Sequence, residues 1–325
     1  MRELVIALDR YDRHFPFFDG TVPVPEGLSI KVLQVGESQN FRDGGQRHER
    51  MYHHLEFDAC EFGLSPYVML TGRGETVPFV ALPAFPRRLF SQSQVFVRAN
   101  SDITEPRHLL GRRVALRSFH TTLSVLFKGD LKRHYDVPWE DIVWCPSKPE
   151  MLDFGRKPGV RIEALPAGAD LGDALLSGAV DAVVVPHAPR SMQGRDAPIR
   201  RMFADPIAAE ADYCRRNGFF PIMHLMVIRR DLLVGRPGLA REMLDMYGAA
   251  DAICRSYYDD PNWSRLAWGR HDFERERTIL DNAFPVGLGE NRACLEQFIG
   301  YCADQLLIPE AFPVERLFPP DMAPA

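Results

Sequence analysis

LGDALLSGAVDAVVVPHAP, residues 171–189, reads as a helix, a glycine stop and a strand in immediate succession. The same alternation extends upstream. RVAL (113–116), DIVWCP (141–146) and RIEAL (161–165) read as strands, and TTLSVLFKGDLKRHY (121–135) as a helix with Thr121 or Thr122 near its N-terminus. Further back, DITEPRHLLG predicts a short helix capped by Asp102 or Thr104 and ended by Gly111. Strands alternating with helices build a mostly parallel, doubly wound sheet, because parallel neighbours need a crossover between them.

The first hundred residues carry another such set. LVIAL (4–8), LSIKVLQV (28–35), VPFVALPAF (77–85) and SQVFVRAN (93–100) read as strands. GESQNFRDGGQRHERMYHHLEF reads as loop running into helix. DACEFGLSPYVML reads as a strand, a turn at Ser65-Pro66 and a helix start. After residue 200, FFPIMHLMVIRR (219–230) returns to strand. A long helix with Leu239, Met243, Leu244 and Tyr247 on its buried face follows, Pro237 lying near its first turn, and ENRACLEQFIGYCADQLL is a later helix. The proline-rich end, FPVERLFPPDMAPA, reads as surface. The expected architecture is therefore α/β in two doubly wound lobes, residues 1–98 with 198–325 and residues 99–197, the chain leaving the first lobe and coming back. Two α/β lobes so joined match the type II periplasmic-binding-protein architecture, whose ligand occupies an interlobe cleft.

Composition narrows the function classes. The 325 residues carry 39 basic and 44 acidic side chains, a net charge of −5, which gives no footprint for nucleic acid or an anionic membrane. Six cysteines, none in a CxxC pair, read as reduced structural thiols. LVIAL is too short for a signal-peptide core, and no apolar run approaches the roughly 20 residues of a membrane span. A cytoplasmic location is the expectation.

Six segments then point to one family: RYD (10–12), EFDACEFGLSPYV (56–68), ALPAFPRRLF (81–90), GAVDAVVVPHAP (178–189), GFFPIMHLMVIRRDLL (218–233) and PVGLGENRACLEQF (285–298). Together, and in this order, they resemble the 4,5-dihydroxyphthalate decarboxylase family. The resemblance implies a cytoplasmic lyase of aromatic-compound catabolism, phthalate degradation above all, on a periplasmic-binding-protein-like fold. It implies no organic cofactor. It carries over Tyr11, Asp12, Glu61, Ser65, Arg88, Thr122, His224, Glu290 and Asn291. The chain departs from the family at Ser118, Phe119 and His120, at His187 to Arg190, and at Ser91-Gln92. These departures bear on which hydroxylated aromatic acid is the substrate.

Removing a carboxylate from a ring without a cofactor leaves an electron pair that the ring must hold. A hydroxyl ortho or para to the carboxylate makes this feasible. The reaction then needs a base for the phenol, an acid for the ring carbon and cations for a retained carboxylate. His224 is the first candidate for the acid, because imidazole titrates near neutral pH; a satisfied core histidine is the competing reading. Glu61 and Asp12 are candidates for the phenol base or for orienting His224, and each also reads as a cap or turn residue. His187 lies at a strand end, where ligands bind in this architecture. His120 and Thr122 begin a helix whose N-terminus suits a carboxylate, or they are a plain N-cap. Arg88 and Arg190 are the candidate carboxylate clamps; Arg87 and Arg117 read as solvated. Ser65, Tyr11 and Asn291 complete the substrate-binding candidates.

The histidines at 48, 53 and 54 do not share a helical face at i, i+4 spacing, so no metal ligand set is assigned; a divalent metal assembled from distant residues is left open. The implied partner is a small aromatic carboxylate, and a homo-oligomer is left open. The competing function is a solute-binding protein for an aromatic or amino-acid-like ligand without catalysis. A thiamine-pathway pyrimidine synthase of related fold would carry a cysteine-rich iron motif, which this sequence lacks.

Overall fold

The computed structural model describes residues 3–36, 47–153, 155, 157–166, 168–192 and 196–322 of the chain. In chain order these form β1 (Glu3–Leu8), α1 (Phe15–Asp19), β2 (Ser29–Gln34), α2 (Arg47–His54), β3 (Ala59–Gly63), α3 (Leu64–Gly72), β4 (Phe79–Arg88), β5 (Val95–Arg98), β6 (Arg113–Leu116), α4 (Thr122–Tyr135), β7 (Val143–Pro146), β8 (Arg161–Ile162), α5 (Leu171–Leu176), β9 (Ala182–Val184), β10 (Ile199–Arg201), α6 (Pro206–Asn217), β11 (Ile222–Arg229), α7 (Arg230–Gly235), α8 (Leu239–Tyr257), α9 (Gly269–Arg277) and α10 (Arg292–Asp304).

These elements divide into two units. The first holds Met1–Arg88, Ile222–Leu295 and Pro313–Ala325, and the second Leu89–Pro221 with Glu296–Phe312. The division falls at 88 and 221, not at the expected 98 and 198. The reason is strand pairing: β5 lies antiparallel to both β9 and β10, so the segments around it belong to the second sheet. The excursion at 296–312 was not foreseen either.

The first unit contains a five-stranded sheet in the order β2-β1-β3-β11-β4. β1 is parallel to β2 and β3, whereas β11 runs antiparallel to β3 and β4. β3 is buried at all five positions and β11 from Ile222 to Ile228, the pattern of strands covered on both faces. β4 is irregular. Its register to β11 jumps from Leu82, opposite Met226, to Arg87, opposite His224. The bulge holds Pro83 and Pro86, which have no N–H to give to a ladder. The Pro83 carbonyl instead accepts from Gly287 N–H at 2.8 Å.

Ser65-Pro66 is not a turn. Both residues lie in the first turn of α3, where a missing proline N–H costs nothing. The proline-rich tail is not a surface segment. Phe312, Val314, Leu317, Phe318 and Met322 are buried, and the Tyr67 hydroxyl donates to the Leu317 carbonyl at 3.0 Å while accepting from Ala81 N–H at 2.9 Å.

The second unit has a six-stranded sheet in the order β10-β5-β9-β6-β7-β8, with β9, β6, β7 and β8 parallel. Phe96, Ala115, Val143, Cys145, Leu175, Val180, Val183 and Ile199 form one buried cluster in it. The helix expected after Asp102 is a single 3-10 turn, Pro106–Leu109, without a side-chain cap. In α4, Gly129 lies directly against the ring of Tyr301, where a Cβ would stand 2.2 Å from ring carbons. β10, α6 and α9 went unread in the sequence.

Candidate active site

The first unit buries a polar cluster at one end of its sheet. Met226 stands opposite Glu61 and His224 opposite Gly63, so Glu61 and His224 are diagonal neighbours on one face. His224 Nδ1 donates to Glu61 Oε1 at 2.5 Å. His224 is the third residue of β11. Glu61 is wholly buried and the His224 side chain is 11% exposed.

α2 supplies the counter-charge. Arg47, also wholly buried, places a guanidinium nitrogen 3.1 Å from Glu61 Oε2. Its Nε donates to the Glu61 carbonyl at 2.9 Å, and its NH1 to the Val35 carbonyl. Asp9 lies 3.8 Å from Arg47 NH1. The Tyr11 hydroxyl sits 3.2 Å from Asp9 Oδ2 and 3.5 Å from Glu61 Oε1. The next residue on α2, His48, meets His224 edge to face with ring centroids 4.8 Å apart. Gly63 leaves space for this, since a Cβ there would come within 3.5 Å of His48 Nδ1. His14 donates from Nδ1 to the Asp9 carbonyl at 2.7 Å and packs on Tyr247.

Electrostatics follow from burial. Burial alone would raise the Glu61 carboxyl; the Arg47 and His224 charges reverse this and hold it well below the usual range. Burial pushes His224 below the ordinary imidazole value, against the pull of Glu61. His48 is pushed well down and His14 to about 4, again by burial first. Burial, then Glu61, pushes the Tyr11 phenol up. The resting dyad is thus a carboxylate that orients a neutral imidazole, with the Nδ1 proton on the Glu61 side and a lone pair on Nε2.

Other expected residues lie elsewhere. Asp12 turns to Arg13 and accepts from the Tyr258 hydroxyl. Ser65 is buried inside α3, its Oγ 3.9 Å from Met69 Sδ. Arg88 is not an open clamp: it is buried, donates to the Asn291 side chain and lies within 6 Å of the Phe85 and Phe284 rings. Asn291 in turn donates to the Pro285 and Gly287 carbonyls at 2.8 and 2.7 Å. The GLGENR segment is thereby a loop lock; Glu290 is exposed beside it.

In the second unit, His120 is held at both ring nitrogens, Nδ1 by Glu150 and Nε2 by Leu152 N–H at 3.3 Å. The Glu150 carboxylate also accepts from Phe119 N–H at 2.5 Å. The anion seat expected for a substrate at His120 is filled by the protein's own carboxylate. Thr122 is the buried first residue of α4, following the cap residue Thr121. His187 and Arg190 are exposed beyond β9. Among the described residues, no group of three or more His, Cys, Asp or Glu side chains is placed to hold a metal ion.

Sequence reading missed Asp9, His14, Arg47 and Tyr247, and weighed His48 only as a metal ligand. The one available signal was the charged pair Arg47-His48 opening a helix; its target, Glu61, lies on a strand that sequence alone could not bring next to it.

No family model matches the chain. It is 28% identical over 306 residues to a Comamonas testosteroni protein named 4,5-dihydroxyphthalate decarboxylase, covering 91% of this chain and 90% of that one. A Pseudomonas putida protein of the same name is 28% identical over 218 residues, covering 65% of this chain and 81% of that protein. Among solved structures, the periplasmic aliphatic sulphonate binding protein SsuA from Escherichia coli aligns with a TM-score of 0.57 at 15% identity, over 98% of this chain and 92% of its own. A DSZB mutant in complex with biphenyl-2-sulfinic acid aligns with a TM-score of 0.53 at 17% identity, over 99% of this chain and 98% of its own. At such identities these structures speak for the fold alone. By sequence this chain is similar to proteins named 4,5-dihydroxyphthalate decarboxylase, and its fold is that of the periplasmic binding proteins.

Proposed function

We propose that this protein is a non-oxidative carboxy-lyase acting on a hydroxylated aromatic acid, 4,5-dihydroxyphthalate or a close relative. The observation that carries the reading is the Glu61–His224 dyad, built from the two segments EFDACEFG and FPIMHLMVIRR. A neutral imidazole held by a buried carboxylate can take a proton from a phenol and return it elsewhere.

His224 Nε2 removes the proton of a hydroxyl para to the departing carboxylate, and the negative charge delocalises onto the ring carbon that bears this carboxylate. The imidazolium, stabilised by Glu61, delivers the proton to that carbon and gives a dienone. The C–C bond breaks, CO2 leaves, and its bonding pair restores the aromatic phenolate. A proton from water completes the phenol. One proton is consumed per CO2 released. His224 thus serves as base and then acid, which refines the acid-only role read from sequence.

A cytoplasmic location is part of the proposal, supported by six buried cysteines that are all free thiols. The test is incubation of purified protein with 4,5-dihydroxyphthalate, following CO2 and 3,4-dihydroxybenzoate. Stoichiometric release of both supports the reading. Saturable binding of the acid with no product would favour the solute-binding alternative, which the SsuA-like fold also fits.

A further inference from the structure

We infer that Arg87 binds the carboxylate that the substrate keeps. The inference rests on the decarboxylase reading of the site and adds to it the recognition of a second acidic group. Three observations carry it. The bulge in β4 sets Arg87 directly opposite His224 in the antiparallel register, which puts the two side chains on one face of the sheet. Arg87 is half-buried, yet among the described residues no hydrogen bond or ion pair engages its guanidinium. Its neighbour Arg88 points away and is committed to Asn291 and the Pro285 carbonyl. Of the two adjacent arginines, the one facing the dyad is the uncommitted one.

The charges agree with this placement. Facing His224 are Glu61 from β3, Arg47 and His48 from α2, and Arg87 from β4. Arg47 is spent on Glu61 and the Val35 carbonyl. Arg87 remains as the cation for an incoming anion, and its charge is felt at Tyr11, His48 and His224 alike. A guanidinium matches a carboxylate through a two-pronged pair. Pairing it with the departing carboxylate would stabilise the ground state and slow CO2 loss; pairing it with the neighbouring, retained one costs nothing in the transition state.

The test uses unreactive ligands and calorimetry on the full chain. Wild type is expected to bind benzene-1,2-dicarboxylate at least about tenfold more tightly than benzoate, a difference of about 1.4 kcal/mol. Arg87→Met should abolish that preference and Arg87→Lys should keep part of it, both with unchanged thermal unfolding. In turnover assays Arg87→Met should raise KM more than it lowers kcat, and should move the His224 limb of the pH profile upward because a nearby positive charge is gone. Dicarboxylate affinity within twofold of wild type in Arg87→Met overturns the inference, as does a wild type that shows no preference between the two ligands. The readings separate cleanly. Arg87-dependent binding without turnover of 4,5-dihydroxyphthalate sinks the decarboxylase alone. Turnover with an indifferent Arg87→Met sinks the carboxylate-binding role alone.

Discussion

Glu61 and His224 stand one diagonal step apart on antiparallel strands, with 2.5 Å between Oε1 and Nδ1 and a glycine, Gly63, where a side chain would otherwise stand across from the imidazole. A carboxylate with no exposure and an imidazole nearly as buried hold each other in a place that neither could occupy alone.

Replacing His224 with glutamine should remove proton transfer while leaving a polar side chain near Glu61. We expect turnover to fall by at least ~10²-fold with little change in circular dichroism. An inactive variant that is also unfolded would return His224 to a purely structural role.

Arg47 is a stability residue first. Arg47→Gln leaves Glu61 buried without its cation, and breaking a buried pair in this way costs about 3–5 kcal/mol. The urea midpoint of the first unit should fall accordingly. A double variant, Arg47→Gln with Glu61→Gln, should recover part of the loss, which a double-mutant cycle measures directly.

The pH dependence has a definite sign. Burial lowers His224, His48 and His14 in the folded protein, His14 to about 4. Unfolded imidazoles take up protons near pH ~6.5, so between that value and the folded ones the unfolded state binds more protons. Stability present above about 6.5 is therefore lost as pH falls toward about 4. Glu61, lowered by Arg47 and His224 despite its burial, adds a further loss below its ordinary carboxylate value. Urea midpoints across this range should decline monotonically toward acid. Activity should decline on the same side, since a protonated His224 cannot accept the phenol proton.

Gly129 poses two effects of opposite sign. In a helix interior, alanine is better than glycine by about 1 kcal/mol. Here the added Cβ would meet the Tyr301 ring at 2.2 Å, and overpacking of that kind costs about 1–3 kcal/mol or more. Gly129→Ala should therefore lower the melting temperature, and Tyr301→Leu introduced with it should cost less than the sum of the two single changes.

The alternation of strand and helix in 113–184 was plain because each element is a short apolar run between clear stops. The long buried strand β11 was equally plain. Register was the hidden quantity. Pro83 and Pro86 announced an irregular β4, but how many residues the bulge absorbs decides which of Arg87 and Arg88 faces His224, and nothing local encodes that number. Arg88 and Asn291 sat in two of the segments that carry the resemblance and proved to be partners of each other. At His120, a helix start that suits an anion was legible, but its occupant, Glu150, lies 30 residues away on a loop. The tail misled because prolines were counted and the phenylalanines among them were not.

That tail sets a condition on biosynthesis. Tyr67 is made early, yet the carbonyl that takes its hydroxyl hydrogen belongs to Leu317, and Phe318 and Met322 close the same core. On a ribosome the first unit waits with its interior open through the synthesis of some 250 further residues. The first unit's core is therefore expected to close only after this tail has been made, and a variant truncated before Leu317 is expected to fold poorly, which circular dichroism of the truncated chain checks.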